Sequence, residues 1–197
     1  GEVRLPGYRP ALHGLAAQIQ RALELIDDAQ RPLILAGNGI IKSEATADLL
    51  AFVEKAGIPV ASTLLGLGGF PASHPLSLGM MGMHGEAWVN HAIQEADLLI
   101  ALGMRFDDRV TGNLRTYAIK AKKIHVEIDP SEINKNVKVD VGIVGDLRDT
   151  LRSFVKAVKP RARAGWTDRI NEFKGDSAVR DIQQMPYDER LFAAHVI

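Results

Sequence analysis

The densest group of charged residues in the sequence directly follows an apolar run. Leu98–Leu102 is typical of a buried strand, and the next seven residues include Arg105, Asp107, Asp108 and Arg109. A guanidinium group holds a phosphate through two parallel hydrogen bonds, and a neighbouring carboxylate can pair with it. In open α/β sheets, ligands bind at the carboxyl ends of strands. Four charges exceed what a helix cap needs, so the segment favours ligand binding over a packing role.

Four other predicted strand ends carry glycine or acidic residues. In a parallel sheet all strand ends meet at one edge, so together they predict one long cleft. Glycines let a diphosphate approach backbone N–H groups, and Glu127 can accept hydrogen bonds from ribose hydroxyls. Each signal alone also fits an ordinary turn, a solvated carboxylate or, at Asp146, a helix cap. The four segments are Gly37-Asn38-Gly39, Thr63-Leu64, Glu127-Ile128-Asp129 and Gly145-Asp146.

A glycine-flanked turn, Met81-Gly82-Met83-His84-Gly85, precedes a predicted helix. Its methionines either fill core space or form adaptable walls for a flat aromatic ring, and their spacing leaves both readings open. His84 lacks a second histidine at metal-ligand spacing, so no metal site is predicted. The sequence has neither the G-x-x-x-x-G-K phosphate loop nor the G-x-S-x-G nucleophile motif, and no catalytic residue is assigned.

The composition narrows the class of protein. The chain has 197 residues, of which 46% are hydrophobic, with 24 basic and 24 acidic side chains and no cysteine. A zero net charge offers no basic surface for nucleic acid or for a membrane. An apolar run long enough to span a bilayer is also missing. We therefore expect a cytoplasmic protein without disulfides or cysteine chemistry.

Alternating strand and helix patterns predict an α/β fold. It is a doubly wound, mostly parallel sheet of about five to six strands flanked by helices, in the Rossmann-like class. We expect a linker at residues 1–10, a nucleotide-binding domain at 11–160, and a peripheral helix with a linker at 161–197. Residues 66–83 are predicted to be irregular, and Ser43 to cap a helix ending near Ala56. The predicted strands are Pro32–Ala36, Ile58–Ser62, Asp97–Leu102, Lys122–Ile128 and Val139–Val144.

Two blocks of the sequence carry a family resemblance. The segment Met81–Gly85 and the segment Gly103–Asn113 together resemble the middle domain of the acetolactate synthase catalytic large subunit, and shorter matches surround residues 36–40, 63–68 and 127–135. The resemblance implies a central FAD-binding domain in a thiamine-diphosphate- and magnesium-dependent enzyme. That enzyme condenses two pyruvates, or pyruvate and 2-oxobutyrate, with release of carbon dioxide, in branched-chain amino acid synthesis. Its flavin does no net redox chemistry.

Carried over position by position, the resemblance implies the residues that contact FAD. They lie at the strand ends already singled out, with Asn38 and Met104 standing where relatives often have smaller residues. The implied contacts are Gly37, Asn38, Gly39, Thr63, Leu64, Met81, Gly82, Met83, His84, Gly103, Met104, Arg105, Asp107, Arg109, Val110, Glu127, Ile128, Gly145 and Asp146.

The resemblance also implies partners that this sequence does not supply. These are flanking thiamine-diphosphate-binding domains of the same polypeptide, further copies in a homo-oligomer, and a regulatory small subunit. Both ends look cut, and the Gly-Asp-Gly thiamine-diphosphate motif is absent, so we expect the chain alone to be inactive. Two alternatives stay open: a module that binds NAD or ADP, and a middle domain that only spaces catalytic domains.

Overall fold

The computed structural model describes residues 16–178, with side chains placed for residues 16–175. Helices and strands alternate along this part of the chain, and two 3-10 turns lie at Leu64–Gly66 and Pro130–Glu132. The strands are β1 Pro32–Ala36, β2 Val60–Ser62, β3 Ser77–Met80, β4 Leu98–Leu102, β5 Lys122–Glu127 and β6 Val141–Val144. The helices are α1 Ala16–Asp28, α2 Gly39–Lys42, α3 Thr46–Ala56, α4 Ala87–Glu95, α5 Asp108–Thr111, α6 Leu147–Ala157 and α7 Ala164–Ala178.

All six strands form one parallel sheet in the order β3-β2-β1-β4-β5-β6. The predicted fold class is therefore confirmed, with every described strand pair parallel. The strand order reverses between β1 and β4, which pair from Pro32 with Leu98 to Ala36 with Leu102. We call the side of the sheet where strands end the carboxyl edge, and the side where they begin the amino edge. Ligands of such sheets bind at the carboxyl edge, beside the reversal point.

Two apolar cores cover the faces of the sheet, which explains why its central strands are apolar throughout. On β1, Ile34 and Ala36 pack into one core, whereas Leu33 and Leu35 pack into the other. The first core lies under α1, α3 and α6, and it includes the rings of Phe52 and Phe154, whose centroids are 5.4 Å apart and whose planes are tilted by 42°. The second core lies under α4 and α7. Burial on both sides makes the strand positions rigid supports for the loops that follow them.

Two local predictions are wrong. The segment 66–83 is not wholly irregular, because β3 forms there as an edge strand against β2. It has only one buried side chain, Leu78, and a register shift where it pairs, so it lacks the apolar run that marks the other strands. Ser43 follows α2 and does not cap α3; its hydroxyl donates to the carbonyl of Gly39 at 2.6 Å.

The described part of the segment after residue 160 packs against the rest of the domain. Trp166 is buried, and its indole N–H donates to the carbonyl of Pro32 at 2.9 Å. The helix α7 packs on α4. The predicted linker at residues 1–10 and the end of the predicted linker beyond 178 lie outside the described residues. Within residues 16–178, every helix falls short of the length and apolar character that crossing a bilayer needs.

Candidate functional site

A large cavity opens along the carboxyl edge of the sheet, with a volume of about 810 Å³. That size is in the range of small-molecule and cofactor sites. Among the nineteen residues predicted from the sequence, only Gly37 and Gly82 do not line it. The lining residues come from the ends of β1, β2, β3, β4, β5 and β6, so the cavity crosses the whole sheet. The strand-end residues are therefore together, as the parallel topology requires.

At the floor of the cavity, the turns after β1 and β4 touch through their backbones. The amide of Gly39 donates to the carbonyl of Gly103 at 2.9 Å. A Cβ added at Gly103, whose φ is +58°, would lie 2.6 Å from the Cα of Gly39. A Cβ at Gly37 would collide with the carbonyl of Gly103. Gly37 thus acts by permitting this close approach, while Gly39 and Gly103 expose backbone to the cavity.

The two sequence blocks that carry the family resemblance meet at one wall. The amide of Met83 donates to the carbonyl of Arg109 at 2.9 Å. Gly82 lies behind this contact, and the side chain of Asn90 bonds to both its amide and its carbonyl at 2.9 Å. This arrangement places Met83 and His84, both exposed, beside the first turn of α5 on the cavity wall.

The four charged residues after β4 have two different roles: the carboxylates bond to the local backbone, and the guanidinium groups are exposed in the cavity. Asp107 caps α5, since its carboxylate accepts from the amide of Val110 at 3.2 Å. Asp108 accepts from its neighbour's amide and lies outside the cavity lining. Arg105 and Arg109 line the cavity and are exposed, and Arg105 makes only a long 3.8 Å ion pair with Asp107. The two guanidinium groups are therefore accessible to an anion in the cavity.

The acidic residues on the opposite side also have different roles. Asp146 caps α6, accepting from the amides of Arg148 and Asp149 at 2.8 and 3.3 Å, so its ordinary explanation as a cap is confirmed. Glu127 is half-buried at the end of β5 and lines the cavity. Burial raises the pKa of its carboxyl above the usual value, although the amides of Ile128 and Asp129 oppose this effect. Glu127 is thus a partly desolvated acceptor facing the cavity.

Five lining residues were not predicted: Lys42, Ser43, Leu65, Met80 and Leu147. Leu65, Met80 and Leu147 lie directly beside predicted residues, so extending each predicted segment by one position would have included them. Gly37 and Gly39 match the first two glycines of the dinucleotide-binding pattern G-x-G-x-x-G, and Lys42 stands at the position of the third. This departure from the pattern could have drawn attention to Lys42. A cation in the first turn after a glycine-rich strand end fits an anionic ligand.

The mouth of the cavity has an apolar rim formed by Leu64, Leu65 and Met83. Their exposed fractions are 67%, 69% and 63%. Leu64 and Leu65 are held in a 3-10 turn because the hydroxyl of Thr63 accepts from the amide of Gly66 at 3.0 Å. Large apolar side chains held in water by an ordered turn mark a surface that favours contact with a ligand or a partner.

Known proteins match most of this chain. The sequence model of the family described as "Thiamine pyrophosphate enzyme, central domain" matches residues 19–154. The chain is 47% identical over 192 residues to the probable acetolactate synthase large subunit of Methanocaldococcus jannaschii, covering 96% of this chain and 32% of that relative. It is 48% identical over 172 residues to the acetolactate synthase large subunit of Corynebacterium glutamicum, covering 87% and 27%. The chain spans about a third of the length of these curated relatives.

Proposed function

The chain belongs to the family of thiamine pyrophosphate enzyme central domains, and from this membership we propose that it is the FAD-binding central domain of an acetolactate synthase large subunit. One observation supports the FAD site above all others. A single cavity of about 810 Å³ crosses the carboxyl ends of the strands at the point where the strand order reverses. Dinucleotides bind at this place in doubly wound sheets.

The shape and lining of the cavity fit an extended dinucleotide. Six strands at the usual spacing give an edge roughly 24 Å long. Near its middle, Gly39 and Gly103 both line the cavity, and their turns pack so closely that a side chain at either position would collide with the other turn. A diphosphate lying here would face the backbone of these glycines. The half-buried carboxylate of Glu127 is available to ribose hydroxyls. The cavity thus offers backbone for a diphosphate and a carboxylate for a ribose, which are the two groups that a nucleotide diphosphate presents.

The lining of the cavity combines cationic and apolar side chains. Arg105, Arg109 and Lys42 line it with accessible cations, which suit phosphate oxygens. Met81 and Met83 offer polarizable walls for a flat ring. When bound, FAD would supply a flavin without net redox chemistry in the proposed reaction. The residues of this chain bind and orient it.

For the whole enzyme we propose the condensation of two pyruvates, or of pyruvate and 2-oxobutyrate, with release of carbon dioxide. The names of the relatives support this activity. Thiamine diphosphate and magnesium would be bound by flanking domains, since the family's Gly-Asp-Gly motif is absent from this sequence. We expect no acetolactate from this chain incubated with pyruvate, thiamine diphosphate and Mg²⁺. Product formation in that assay would contradict the division of roles between domains.

We also propose that the apolar rim contacts a flanking domain of the same polypeptide. Leu64, Leu65 and Met83 surround the cavity mouth and are more than half exposed in this chain. A neighbouring domain would cover them together with the end of the flavin. The FAD affinity of this chain should therefore be weaker than that of the intact enzyme. Equal affinities in the two forms would contradict this contact. Homo-oligomerisation and a regulatory small subunit are further expectations of the family resemblance.

A calorimetric titration of the chain with FAD, ADP and NAD tests the proposed site. We expect saturable binding of FAD, weaker binding of ADP and no binding of NAD. Stronger binding of NAD or ADP than of FAD would favour a nucleotide module of another kind. Absence of binding by all three, with the chain folded by circular dichroism, would overturn the site and leave the domain as a spacer.

A further inference from the structure

A buried histidine supports the turn at the floor of the cavity. His125 lies in the middle of β5, is fully buried and does not line the cavity. Its Nε2 lies 2.8 Å from the carbonyl oxygen of Met104, the residue that follows the close contact between Gly103 and Gly39. A carbonyl oxygen only accepts, so Nε2 carries the proton in this bond. The ring therefore reaches the turn from beneath, out of contact with the cavity.

The other ring nitrogen explains why this contact is sensitive. Nδ1 of His125 is buried and has no hydrogen-bond partner among the described residues. Because Nε2–H donates to Met104, Nδ1 is the unprotonated nitrogen of the neutral ring. Protonating Nδ1 would give an imidazolium whose Nδ1–H is buried without an acceptor. Burial accordingly lowers the pKa of His125, while the bond to Met104 and the charge of Glu132 oppose this shift. The neutral Nε2–H tautomer is the form that the fold accommodates.

Neighbouring groups hold the same turn along its length. The ring of Phe106 packs edge-on against His125, with centroids 5.1 Å apart. The carbonyl of Phe106 accepts from the side-chain amide of Asn136 at 2.8 Å. The turn then ends where Asp107 caps α5. His125 is thus a buried side chain of β5 that bonds to the backbone of the turn between β4 and α5, and this turn lines the cavity.

We propose that His125 is a positioning residue for the ligand site: through its Nε2–H bond to Met104 it fixes the turn at residues 103–107 in the conformation that binds the cofactor. The proposal rests on the FAD site proposed above. It differs from a packing role because it depends on one donated hydrogen bond. Leucine at this position would fill space without donating, whereas glutamine carries an amide N–H that reaches the position of Nε2.

The test measures FAD affinity in three variants by calorimetry. His125→Leu should weaken binding on the order of tenfold, the effect of losing one buried hydrogen bond. His125→Gln should restore the affinity to near that of the wild type. Trp166→Phe is the matched control, because it removes an indole N–H bond of 2.9 Å to the carbonyl of Pro32 at the amino edge. It should lower the melting temperature without changing FAD affinity.

Several results would overturn the positioning role. These are wild-type affinity in His125→Leu, failure of His125→Gln to restore binding, and equal weakening by Trp166→Phe. Nitrogen-15 shifts of the imidazole that report an Nδ1–H tautomer would also contradict it.

A second measurement separates this proposal from the proposed function. If the wild-type chain bound no FAD, amide hydrogen exchange in the ligand-free protein would decide about His125. His125→Leu should speed exchange at Gly39 and Val110, whose amides bond to the carbonyls of Gly103 and Asp107. Exchange in β1 should not change. Wild-type exchange rates at Gly39 and Val110 would overturn the role of His125, whatever ligand the cavity takes.

Discussion

The amino edge of the sheet is closed by the protein's own side chains, whereas the carboxyl edge is left open. At the amino edge, Arg163 is buried and its guanidinium donates to the carbonyls of Ile26, Ala29 and Ala56, at the ends of α1 and α3. The carboxylate of Asp97 accepts from the amides of Gln30 and Arg31 at 2.8 and 2.9 Å. These bonds join elements that lie far apart in the sequence.

The carboxyl edge is built from the same kinds of element but presents unused groups. Arg105, Arg109 and Lys42 are exposed there, and the apolar rim is in water. The difference follows from parallel topology. Helices return antiparallel to the strands, so their carbonyl ends collect at the amino edge and their amide ends at the carboxyl edge. Arginines neutralise the first set internally, and the second set suits an anionic ligand. We infer that the amino edge provides stability and the carboxyl edge provides binding.

Arg163→Ala should have the largest effect, and on stability alone. Burial lowers the pKa of Arg163 to about 10, so the residue is still charged at neutral pH. Removing it takes the donor from the carbonyls of Ile26 and Ala56 and leaves the carbonyl of Ala29 with a 3.3 Å bond from Arg161. We expect the free energy of unfolding to fall by about 3 to 4 kcal/mol. Urea denaturation measures this loss. FAD affinity measured well below the melting temperature should not change, and a change would break the separation between the edges.

Arg152→Ala is the control for Arg163→Ala. Arg152 is exposed and pairs with Asp48 at 3.0 Å on the surface. Exposed ion pairs contribute about 1 kcal/mol or less. If Arg152→Ala lowered the free energy of unfolding as much as Arg163→Ala does, the bonds of Arg163 at the amino edge would contribute no more to stability than a surface ion pair.

Gly103→Ala should damage both properties. The added Cβ would lie 2.6 Å from the Cα of Gly39, in a residue with φ of +58°. Gly112→Ala is the matched control, since it has the same φ of +58° and open space around the Cβ. We expect Gly112→Ala to cost about 1 to 2 kcal/mol, from backbone strain alone, because its φ of +58° and ψ of −126° are unfavourable for alanine. Gly103→Ala should cost about 2 kcal/mol more, from collision with a packed backbone, and should abolish saturable FAD binding.

Equal unfolding free energies of the two glycine variants would contradict the close contact between the turns. Wild-type FAD affinity in Gly103→Ala would place the ligand elsewhere than across Gly39 and Gly103.

Glu127→Gln should weaken FAD binding without lowering stability, whereas Arg163→Ala should lower stability without weakening FAD binding. Burial raises the pKa of this carboxyl, so the folded state bears a desolvation cost when Glu127 is ionised. The neutral amide removes that cost, and the free energy of unfolding at pH 7 should hold or rise. FAD affinity should fall on the order of tenfold, because a charged acceptor for ribose hydroxyls is lost. A variant that binds as the wild type does would remove Glu127 from the site.

The smallest effect is a pH dependence at His125. Its pKa is lowered by burial, so the unfolded chain binds a proton more readily than the folded chain. The contribution of His125 to stability is therefore complete above about pH 6.5 and is lost as the pH falls below that value. Urea denaturation between pH 5 and 8, compared with His125→Gln, isolates this contribution. Parallel pH profiles for the two proteins would contradict a buried neutral imidazole.

Much of this protein follows from its sequence alone. The apolar run Leu98–Leu102 predicts β4, and Asp146 before Leu147 predicts a capped helix, because strand burial and helix capping depend on neighbouring residues. Glycine and charge at successive strand ends predicted most of the cavity lining, since parallel strands bring their ends to one edge. The family resemblance added the identity of the expected ligand.

Other features depend on tertiary structure. The edge strand β3 has one buried side chain and forms because β2 offers it a pairing partner. Arg163 gives no local signal, since its acceptors lie more than 100 residues earlier in the chain. His125 is one residue of an apolar strand in the sequence, and only the packing of β5 beneath the turn gives its Nε2 a partner. Local patterns specify the elements and their ends, but long-range packing decides which buried polar groups meet.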